Sequence, residues 1–485
     1  MNQRALVICI AALTLASACS SSDDASATDA GGATDAGTVP DAGPAADGGA
    51  AGDAGWKEPF APAVCGAPAY HWLDPSTMGK VVKYEPVPEY SLDKKSINDL
   101  LKQQGFGTIE AKYGIKLYRY RYETQDRGVK VEATALLTVP DLLGAEATLP
   151  YVLWLHGTSG WSDKCTASKL IEWILAAGLV ASQGYVGVAP DYIGMTGLGD
   201  PSTVKHPYMI GEPTAIAAWD AARAAGSMLK RVKSGITPDN RVVVWGASQG
   251  GHATLFTERY AAHYAPEFTV AAALALIPPA NLVEDLISVF NDYNYGLYFR
   301  AAYTAAFADW YGYGARLDEA FNAGPPNDFT TLIPEAMQAG CTIDLGQWNV
   351  TKASDVYTQA FVDGFVARDW AALDPWHCLA AENSIDLTSV ARKTATPFYW
   401  VIGEADDLVR APVARGMFDT LCGAGYSMDF LECKGAGHTE TGTSSMKEQM
   451  AWVTDRLAGK PPENPCVKAE PVCCSGATND ACKTP

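Results

Sequence analysis

The sequence predicts an α/β protein with a mainly parallel sheet and helices on both faces. Between residues 56 and 460, short apolar strands alternate with amphipathic helices, the order that builds a parallel sheet. The strand at 242–245 is apolar at every position, as a parallel strand buried on both faces should be. A sharp glycine-rich turn and a helix-favouring stretch at 253–262 follow it. These three observations decide the fold class.

The predicted elements follow one another with one long interruption. Strands are predicted at 129–139, 151–155, 186–189, 242–245, 270–277, 398–402 and 428–432, and helices at 166–180, 212–231, 253–262 and 444–458. Residues 282–393 break the alternation because they are helical in places and rich in aromatic residues. They are predicted to form a cap or lid over a cleft, with a small core of their own. The α/β core is then expected at 56–281 and 394–460.

The N-terminal end has the features of an exported protein. In residues 1–19, Arg4 precedes an apolar run that is too short to span a membrane, and small residues precede Cys19. This pattern predicts a lipoprotein-type signal with lipidation at Cys19. Ala16 stands where that pattern prefers Leu, and plain secretion is the alternative. Residues 20–55 are rich in Ala, Gly and Asp and are predicted to be a disordered tether.

The charge of the chain limits its partners. The formal net charge is −19; one Arg in the signal and seven Asp in the tether leave −13 for the rest. A domain of this charge repels polyanions, so nucleic acid is not expected as a partner. Membrane contact is expected through the N-terminal lipid anchor, and the sequence leaves the oligomeric state open.

The cysteines predict disulfides. Ten of the twelve follow Cys19, an even number in an exported chain: Cys65, Cys165, Cys341, Cys378, Cys422, Cys433, Cys466, Cys473, Cys474 and Cys482. Cys422 and Cys433 are near each other in the chain and could close a short loop. Residues 461–485 are expected to be a stapled, Cys-rich tail. The spacing fits no zinc site, and no metal is predicted.

Residues 241–252 carry the most informative motif, Gly-x-Ser-x-Gly between a strand and a helix. Gly246 and Gly250 are needed because a Cβ at either place would crowd the neighbouring strand or helix. The turn strains Ser248 and lifts its Oγ clear of the sheet, where the helix N-terminus favours developing negative charge. This context predicts a nucleophile at Ser248. The alternative is an ordinary glycine-rich turn.

A serine nucleophile needs a base, and the base needs a carboxylate to orient it. In this architecture the chain order is Ser, then the acid, then His. His438, in a glycine-rich loop after the last strand, is the predicted base; the alternative, His377, falls inside the predicted cap. The acid should follow the strand before, where Asp406, Asp407 and Glu404 are the candidates.

The oxyanion formed during acyl transfer needs backbone N–H donors. One is expected from Gln249, the residue after the nucleophile. The other is expected from Thr158, in the loop after the strand at 151–155. His156 and His252 are predicted to pack and hydrogen-bond structurally, because their places in the chain order do not suit the base.

A set of motifs resembles those of the secretory lipase and esterase group within the α/β-hydrolase superfamily. The motifs lie at 156–158, 163–165, 189–192, 206–208, 211–212, 245–252 and 435–438. The resemblance, over roughly residues 85 to 458, implies an α/β-hydrolase fold with a cap inserted before the acid-bearing strand. It also implies hydrolysis of carboxylic esters through an acyl-enzyme, without metal or cofactor.

The resemblance also favours one of the candidate acids. In the family the acid lies within Gly-x-x-Asp-x-x-Val, which Gly403, Asp406 and Val409 match. This match ranks Asp406 above Asp407. Arg410 stands where Pro is more usual, which leaves the motif intact.

Together these features predict an exported serine hydrolase of the cell envelope, either an esterase or a lipase. Its expected substrate is a small-molecule or lipid ester whose acyl-chain length the sequence does not give. A serine peptidase on the same fold is the first alternative. The second is an inactive binding lipoprotein, which is disfavoured because Ser, Asp and His all occur in the required order.

Overall fold

The computed structural model describes residues 56–59, 63–103, 106 and 109–483. The signal and the tether predicted for residues 1–55 lie outside this range. The described strands are β1 (Val81–Pro86), β2 (Gly114–Asp126), β3 (Val129–Asp141), β4 (Ala147–Leu155), β5 (Val186–Pro190), β6 (Ile236–Ala247), β7 (Thr269–Leu276), β8 (Pro397–Gly403) and β9 (Ser427–Cys433).

Within the described residues these strands form one nine-stranded sheet in the order β1-β2-β3-β5-β4-β6-β7-β8-β9. The pairings from β1 to β5 through β2 and β3 are antiparallel, and those from β5 to β9 are parallel. Side chains alternate along a strand, so in β6 Val242 and Val244 join the core on one face. Val243 and Trp245 join the core on the other. The predicted α/β fold is therefore confirmed.

Helices cover both faces of the sheet. The helices of the described residues are α1 (Lys94–Gln103), α2 (Ile171–Ser182), α3 (Gly211–Arg231), α4 (Gln249–Tyr264), α5 (Leu282–Asn291), α6 (Leu297–Trp310), α7 (Leu317–Ala320), α8 (Phe329–Ala339), α9 (Ala353–Val356), α10 (Gln359–Ala367), α11 (Trp376–Glu382), α12 (Ala411–Gly423), α13 (His438–Ser444) and α14 (Met446–Leu457). Helices α3 and α4 pack on one face through residues such as Trp219 and Phe256. Helices α2 and α14 pack on the other through Ile174 and Trp452.

The sequence prediction missed β1, β2, α1 and α12, and it began one helix too early. The signal for β2 was present: Tyr120 and Tyr122 are fully buried and alternate with Arg119 and Arg121, as along a half-buried strand. The helix predicted from residue 166 begins at Ile171. Before it lie short 3₁₀ turns, because the Ser168 N–H and hydroxyl both donate to the buried Asp191 carboxylate at 2.7 Å.

The insertion between β7 and β8, residues 282–393, is helical and has its own apolar cluster. Helices α5 to α11 pack around buried rings that include Tyr303, Phe307, Tyr357, Phe361 and Trp376. Some aromatic residues of the insertion lie outside this core; Tyr295, for example, is 55% exposed. The insertion also packs against the loop residues Trp161 and Tyr208 of the α/β core.

Five disulfides join the ten cysteines. They are Cys65–Cys378, Cys165–Cys341, Cys422–Cys466, Cys433–Cys474 and Cys473–Cys482. The suggested Cys422–Cys433 loop is wrong. Cys422 precedes β9 and Cys433 ends it, and a seven-residue strand separates its ends by about 20 Å. A disulfide requires Cα atoms about 4.4–6.8 Å apart. One disulfide lies within the tail, and two others join the tail to the α/β core.

Candidate active site

Ser248 lies in a strained turn between β6 and α4. Its backbone has φ 58° and ψ −119°, in the left-handed region that side chains rarely adopt. Its N–H donates to the Leu276 carbonyl at 2.9 Å. A Cβ at Gly246 would lie 2.2 Å from the Gly250 carbonyl oxygen, and one at Gly250 would lie 1.9 Å from that of Leu155. The motif therefore requires both glycines, because the helix and strands approach the turn so closely.

One imidazole links this serine to a carboxylate. His438 Nε2 lies 2.9 Å from Ser248 Oγ, and His438 Nδ1 lies 2.8 Å from Asp406 Oδ2. The other carboxylate oxygen, Oδ1, accepts the Leu408 and Val409 N–H groups at 2.9 Å each. The Asp406 side chain is 1% exposed and that of His438 is 12% exposed. Because both carboxylate oxygens are engaged, the imidazole is held in one orientation.

The other candidate acids and the other candidate base lie elsewhere. Asp407 is exposed, and its carbonyl oxygen accepts from Asn294 Nδ2 at 2.9 Å. Glu404 is also exposed and accepts the Gly435 N–H at 2.8 Å. His377 stacks on Trp370 in the insertion, with ring centroids 4.2 Å apart. Of these candidates, the structure brings only Asp406 to His438.

His438 is the first residue of α13, so the loop predicted for it is one residue shorter than expected. The turn from β9 into this helix passes through Gly435, whose φ is +63°. An added Cβ there would lie 2.7 Å from the Ala481 side chain of the tail. The glycine thus allows both the tight turn and the close approach of the tail behind the histidine.

Two backbone N–H groups near Ser248 have no acceptor among the described residues. They are the N–H groups of Gln249, at the start of α4, and of Thr158, after β4. The Gln249 side chain is fixed because its Nε2 donates to His206 Nε2 at 3.0 Å. His206 Nδ1 in turn donates to the Ile193 carbonyl at 2.9 Å. Burial lowers the pKa of His206 to about 3, so the imidazole stays neutral and can accept this bond.

His156 and His252 lie apart from the serine–histidine–aspartate chain. His156 Nδ1 contacts the Gly157 carbonyl at 2.6 Å, and His252 Nε2 contacts that of Asn383 at 2.9 Å. Burial lowers the pKa of each histidine to about 4. They are neutral, buried and bonded to backbone, which is the structural role expected of them from the sequence.

A family model described as secretory lipase matches residues 162–464, which is more than half of the chain. The chain belongs to the secretory lipase family. The predicted family and enzyme class are confirmed, and the protein is an ester hydrolase. No curated protein matches the chain.

Two solved structures are similar to this secretory lipase in fold. The rice cell wall degrading esterase LipA from Xanthomonas oryzae is 20% identical with a TM-score of 0.63, covering 78% of this chain and 97% of that one. Candida antarctica lipase A in its closed state is 16% identical with a TM-score of 0.61, covering 82% and 87%. At these identities the likeness establishes the α/β-hydrolase fold alone.

The family and the disulfides both indicate that this secretory lipase is exported. Five disulfides are expected in an oxidising compartment and are rare in the cytosol. In the described part of the chain, no helix is both long and apolar enough to cross a membrane.

A cleft of about 350 Å³, including its open mouth, lies over Ser248 and His438. Its apolar lining comprises Met209, Pro279, Phe299, Leu408 and Val409, and its polar lining Thr158, Tyr208, Gln249, Asp285, Arg300 and Tyr303. Four of these residues, at 285, 299, 300 and 303, belong to the insertion. The insertion therefore forms part of the wall of the cleft that contains the serine.

Sequence reasoning missed a buried ion pair in this wall. Arg300 pairs with Asp285, and both side chains are almost fully buried. Arg300 also donates to the Leu408 carbonyl at 2.7 Å, beside the turn that carries Asp406. Burial raises the pKa of Asp285, and the Arg300 guanidinium opposes this shift. The signal was an acid, Asp285, and a base, Arg300, among the mostly apolar residues of α5 and α6, where a buried charge needs a partner. Among the described residues, no three His, Cys, Asp or Glu side chains group as metal ligands would.

Proposed function

We propose that this secretory lipase cleaves carboxylic esters through an acyl-enzyme, with Ser248 as nucleophile, His438 as general base and Asp406 as the orienting acid. One observation carries the proposal: an unbroken hydrogen-bonded path runs from Asp406 Oδ2 through the imidazole to Ser248 Oγ. Nucleophile, base and orienting group within hydrogen-bond reach are the geometric signature of this chemistry.

In the first step, Ser248 Oγ attacks the ester carbonyl carbon while His438 Nε2 takes the hydroxyl proton. The imidazolium that forms is stabilised by Asp406, which stays ionised. The carbonyl oxygen becomes an oxyanion and accepts the N–H groups of Gln249 and Thr158. The N-terminus of α4, where Gln249 lies, adds a favourable field for this charge.

The intermediate then collapses as the bond to the alcohol oxygen breaks. The leaving alcohol takes the proton from His438 Nε2, and the acyl group stays on Ser248. Water next attacks the acyl-enzyme while Nε2 accepts one of its protons. A second collapse releases the carboxylic acid and returns the proton to Ser248 Oγ, so the enzyme is regenerated.

The cleft favours esters of short or medium acyl chains. Much of the 350 Å³ is open mouth, so the enclosed space beside Ser248 is small. In this proposal the insertion at residues 282–393 acts as a cap, since Phe299 and Tyr303 stand over the same cleft as Ser248. A long acyl chain then requires the cap to move, and the similar Candida antarctica lipase A structure is a closed state.

The attachment to the envelope follows from the sequence of the N-terminal end. In this proposal Cys19 is acylated, and residues 20–55 act as a tether that holds the catalytic domain away from the membrane. Incorporation of radiolabelled palmitate into the parent, and its loss in Cys19→Ser, tests the anchor. A Cys19→Ser variant that keeps the label would refute it.

Nitrophenyl esters of increasing acyl length, from acetate to palmitate, test the catalytic proposal. We expect the parent to hydrolyse the shorter esters fastest, and Ser248→Ala to lower kcat on the order of 10⁶-fold. Ser76→Ala, at an exposed serine, is the matched control and should match the parent. Cleavage of aminoacyl nitroanilides without ester hydrolysis would instead identify a peptidase. A folded protein without activity in either assay would favour the binding scaffold.

A further inference from the structure

Two hydroxyl groups meet in the wall of the catalytic cleft. Thr158 Oγ1 and Tyr208 Oη are 2.7 Å apart, and both residues line the cleft with Ser248. The ring of Tyr208 is held edge-on by Trp161, with centroids 5.7 Å apart, and contacts the ring of His206 at 5.9 Å. The tyrosine is 3% exposed and Thr158 is half-buried, so the pair is only partly shielded from bulk solvent.

The two hydroxyl groups have two hydrogens between them, and the hydrogen bond that joins them takes only one. Each hydroxyl has one hydrogen and can also accept. Whichever oxygen donates in the Thr158–Tyr208 bond, the other keeps an O–H of its own. No other described residue hydrogen-bonds either oxygen. One O–H donor is therefore left over in the cleft, where an oxygen of the substrate can accept it.

The position of Thr158 suggests what accepts this hydrogen. Three covalent bonds separate its backbone N from its Oγ1, so both donors of one residue can reach the same acceptor atom. The backbone N–H is the second oxyanion donor in the proposed function. We propose that the Thr158–Tyr208 hydroxyl pair donates a third hydrogen bond to the oxyanion, an inference that rests on that function.

Such a donor acts mainly on the transition state. Hydrogen bonds to an ionised oxygen are about twice as strong as those to a neutral one, so the bond tightens as the carbonyl becomes an oxyanion. Burial raises the pKa of Tyr208, which keeps its hydroxyl protonated over the working range of the enzyme. The pair thus remains a donor throughout the cycle.

Thr158→Val tests the proposal because it keeps the backbone N–H and the shape while removing the hydroxyl. We expect kcat for nitrophenyl butyrate to fall about 10²-fold with KM little changed, since the lost bond forms in the transition state. The affinity for a boronic acid that mimics the tetrahedral intermediate should fall by a similar factor. Thr158→Ser, which restores the hydroxyl, should recover most of kcat.

The chain offers a matched control. Thr304 Oγ1 and Tyr357 Oη form a second buried hydroxyl pair at 3.1 Å, and neither residue lines the cleft. Thr304→Val removes the same group from another threonine–tyrosine pair and should leave kcat at the parent value. Thermal unfolding of both valine variants separates lost stability from lost catalysis.

The failures of the two proposals are distinguishable. A parent protein that neither hydrolyses esters nor reacts with a fluorophosphonate would refute the proposed function. An active parent with Thr158→Val at the same kcat would refute the hydroxyl donor alone. A loss in Thr158→Val that Thr158→Ser does not recover, or that Thr304→Val equals, would assign a structural role to the hydroxyl and also refute it.

Discussion

Replacing Asp406 by Asn tests the role of this carboxylate in positioning His438, because the structure dictates how the amide must lie. Asp406 Oδ1 accepts two backbone N–H groups, from Leu408 and Val409. The amide oxygen of Asn must take that place, which points its NH₂ group at His438 Nδ1. An NH₂ group only donates, so Nδ1 must then accept and the imidazole proton moves to Nε2. In that tautomer Nε2 cannot take the proton of Ser248.

The size of the effect follows from this tautomer change. A comparable substitution in serine proteases lowers kcat about 10⁴-fold, which corresponds to about 5 kcal/mol in the activation barrier. The backbone bonds to the amide oxygen are kept, so the free energy of unfolding should change little. Asp406→Asn should therefore remain folded and bind substrate while turning over very slowly.

Steady-state hydrolysis of nitrophenyl butyrate measures the effect, with Asp407→Asn as the control. Asp407 is exposed, and it accepts a hydrogen bond from Asn294 through its backbone carbonyl, which the substitution leaves in place. Its variant should therefore keep the parent kcat. The reasoning is refuted if Asp406→Asn stays within about tenfold of the parent, a change of only about 1.4 kcal/mol. It is refuted equally if Asp407→Asn shows the larger loss.

Four further predictions concern stability. Gly250→Ala forces a Cβ to 1.9 Å from a strand carbonyl and should lower the unfolding free energy by about 3 kcal/mol in urea titrations. Gly416→Ala, with open space at the helical position, should raise it by about 1 kcal/mol. Replacing Cys165 and Cys341 together by Ala should lower it by about 3–5 kcal/mol, because this disulfide closes a loop with a sequence separation of 176; an unchanged midpoint would contradict this. Burial raises the pKa of the Glu212 carboxyl from 4.5 to about 7. The protonated carboxyl therefore contributes to the free energy of unfolding below pH 4.5, and this contribution is lost as the pH rises to 7. Between pH 4.5 and 7, the free energy of unfolding of Glu212→Gln should therefore rise by about 3 kcal/mol relative to that of the parent. Thermal unfolding at several pH values measures this, and a difference that does not depend on pH would contradict it.

The core of the fold and the turn that carries Ser248 were predictable because their signals are local. A strand, a glycine turn and a helix occupy consecutive residues around Ser248, and the chain order of such sites then points to His438. The choice between Asp406 and Asp407 could not come from spacing. It depends on which carboxylate the turn directs inward, where Leu408 and Val409 supply their N–H groups.

The features that the sequence did not predict depend on contacts between distant residues. Thr158 and Tyr208 are 50 residues apart, and neither belongs to a motif that predicts their pairing. The pairing of Cys422 with Cys466 and of Cys433 with Cys474 likewise depends on how the tail runs beside β9, and proximity in the chain suggested a wrong loop for Cys422. The elements missed near the N-terminus lie at the antiparallel end of the sheet, outside the regular alternation of strand and helix.

Covalent labelling with a fluorophosphonate tests most directly whether Ser248 is the activated nucleophile. The reagent phosphonylates a serine whose proton is taken by a base, and digestion followed by mass spectrometry locates the label. We predict that the label lies on the peptide that contains Ser248, that Ser248→Ala removes it, and that His438→Ala slows its formation. Folded parent protein that stays unlabelled, or label on another residue, would contradict the proposed mechanism.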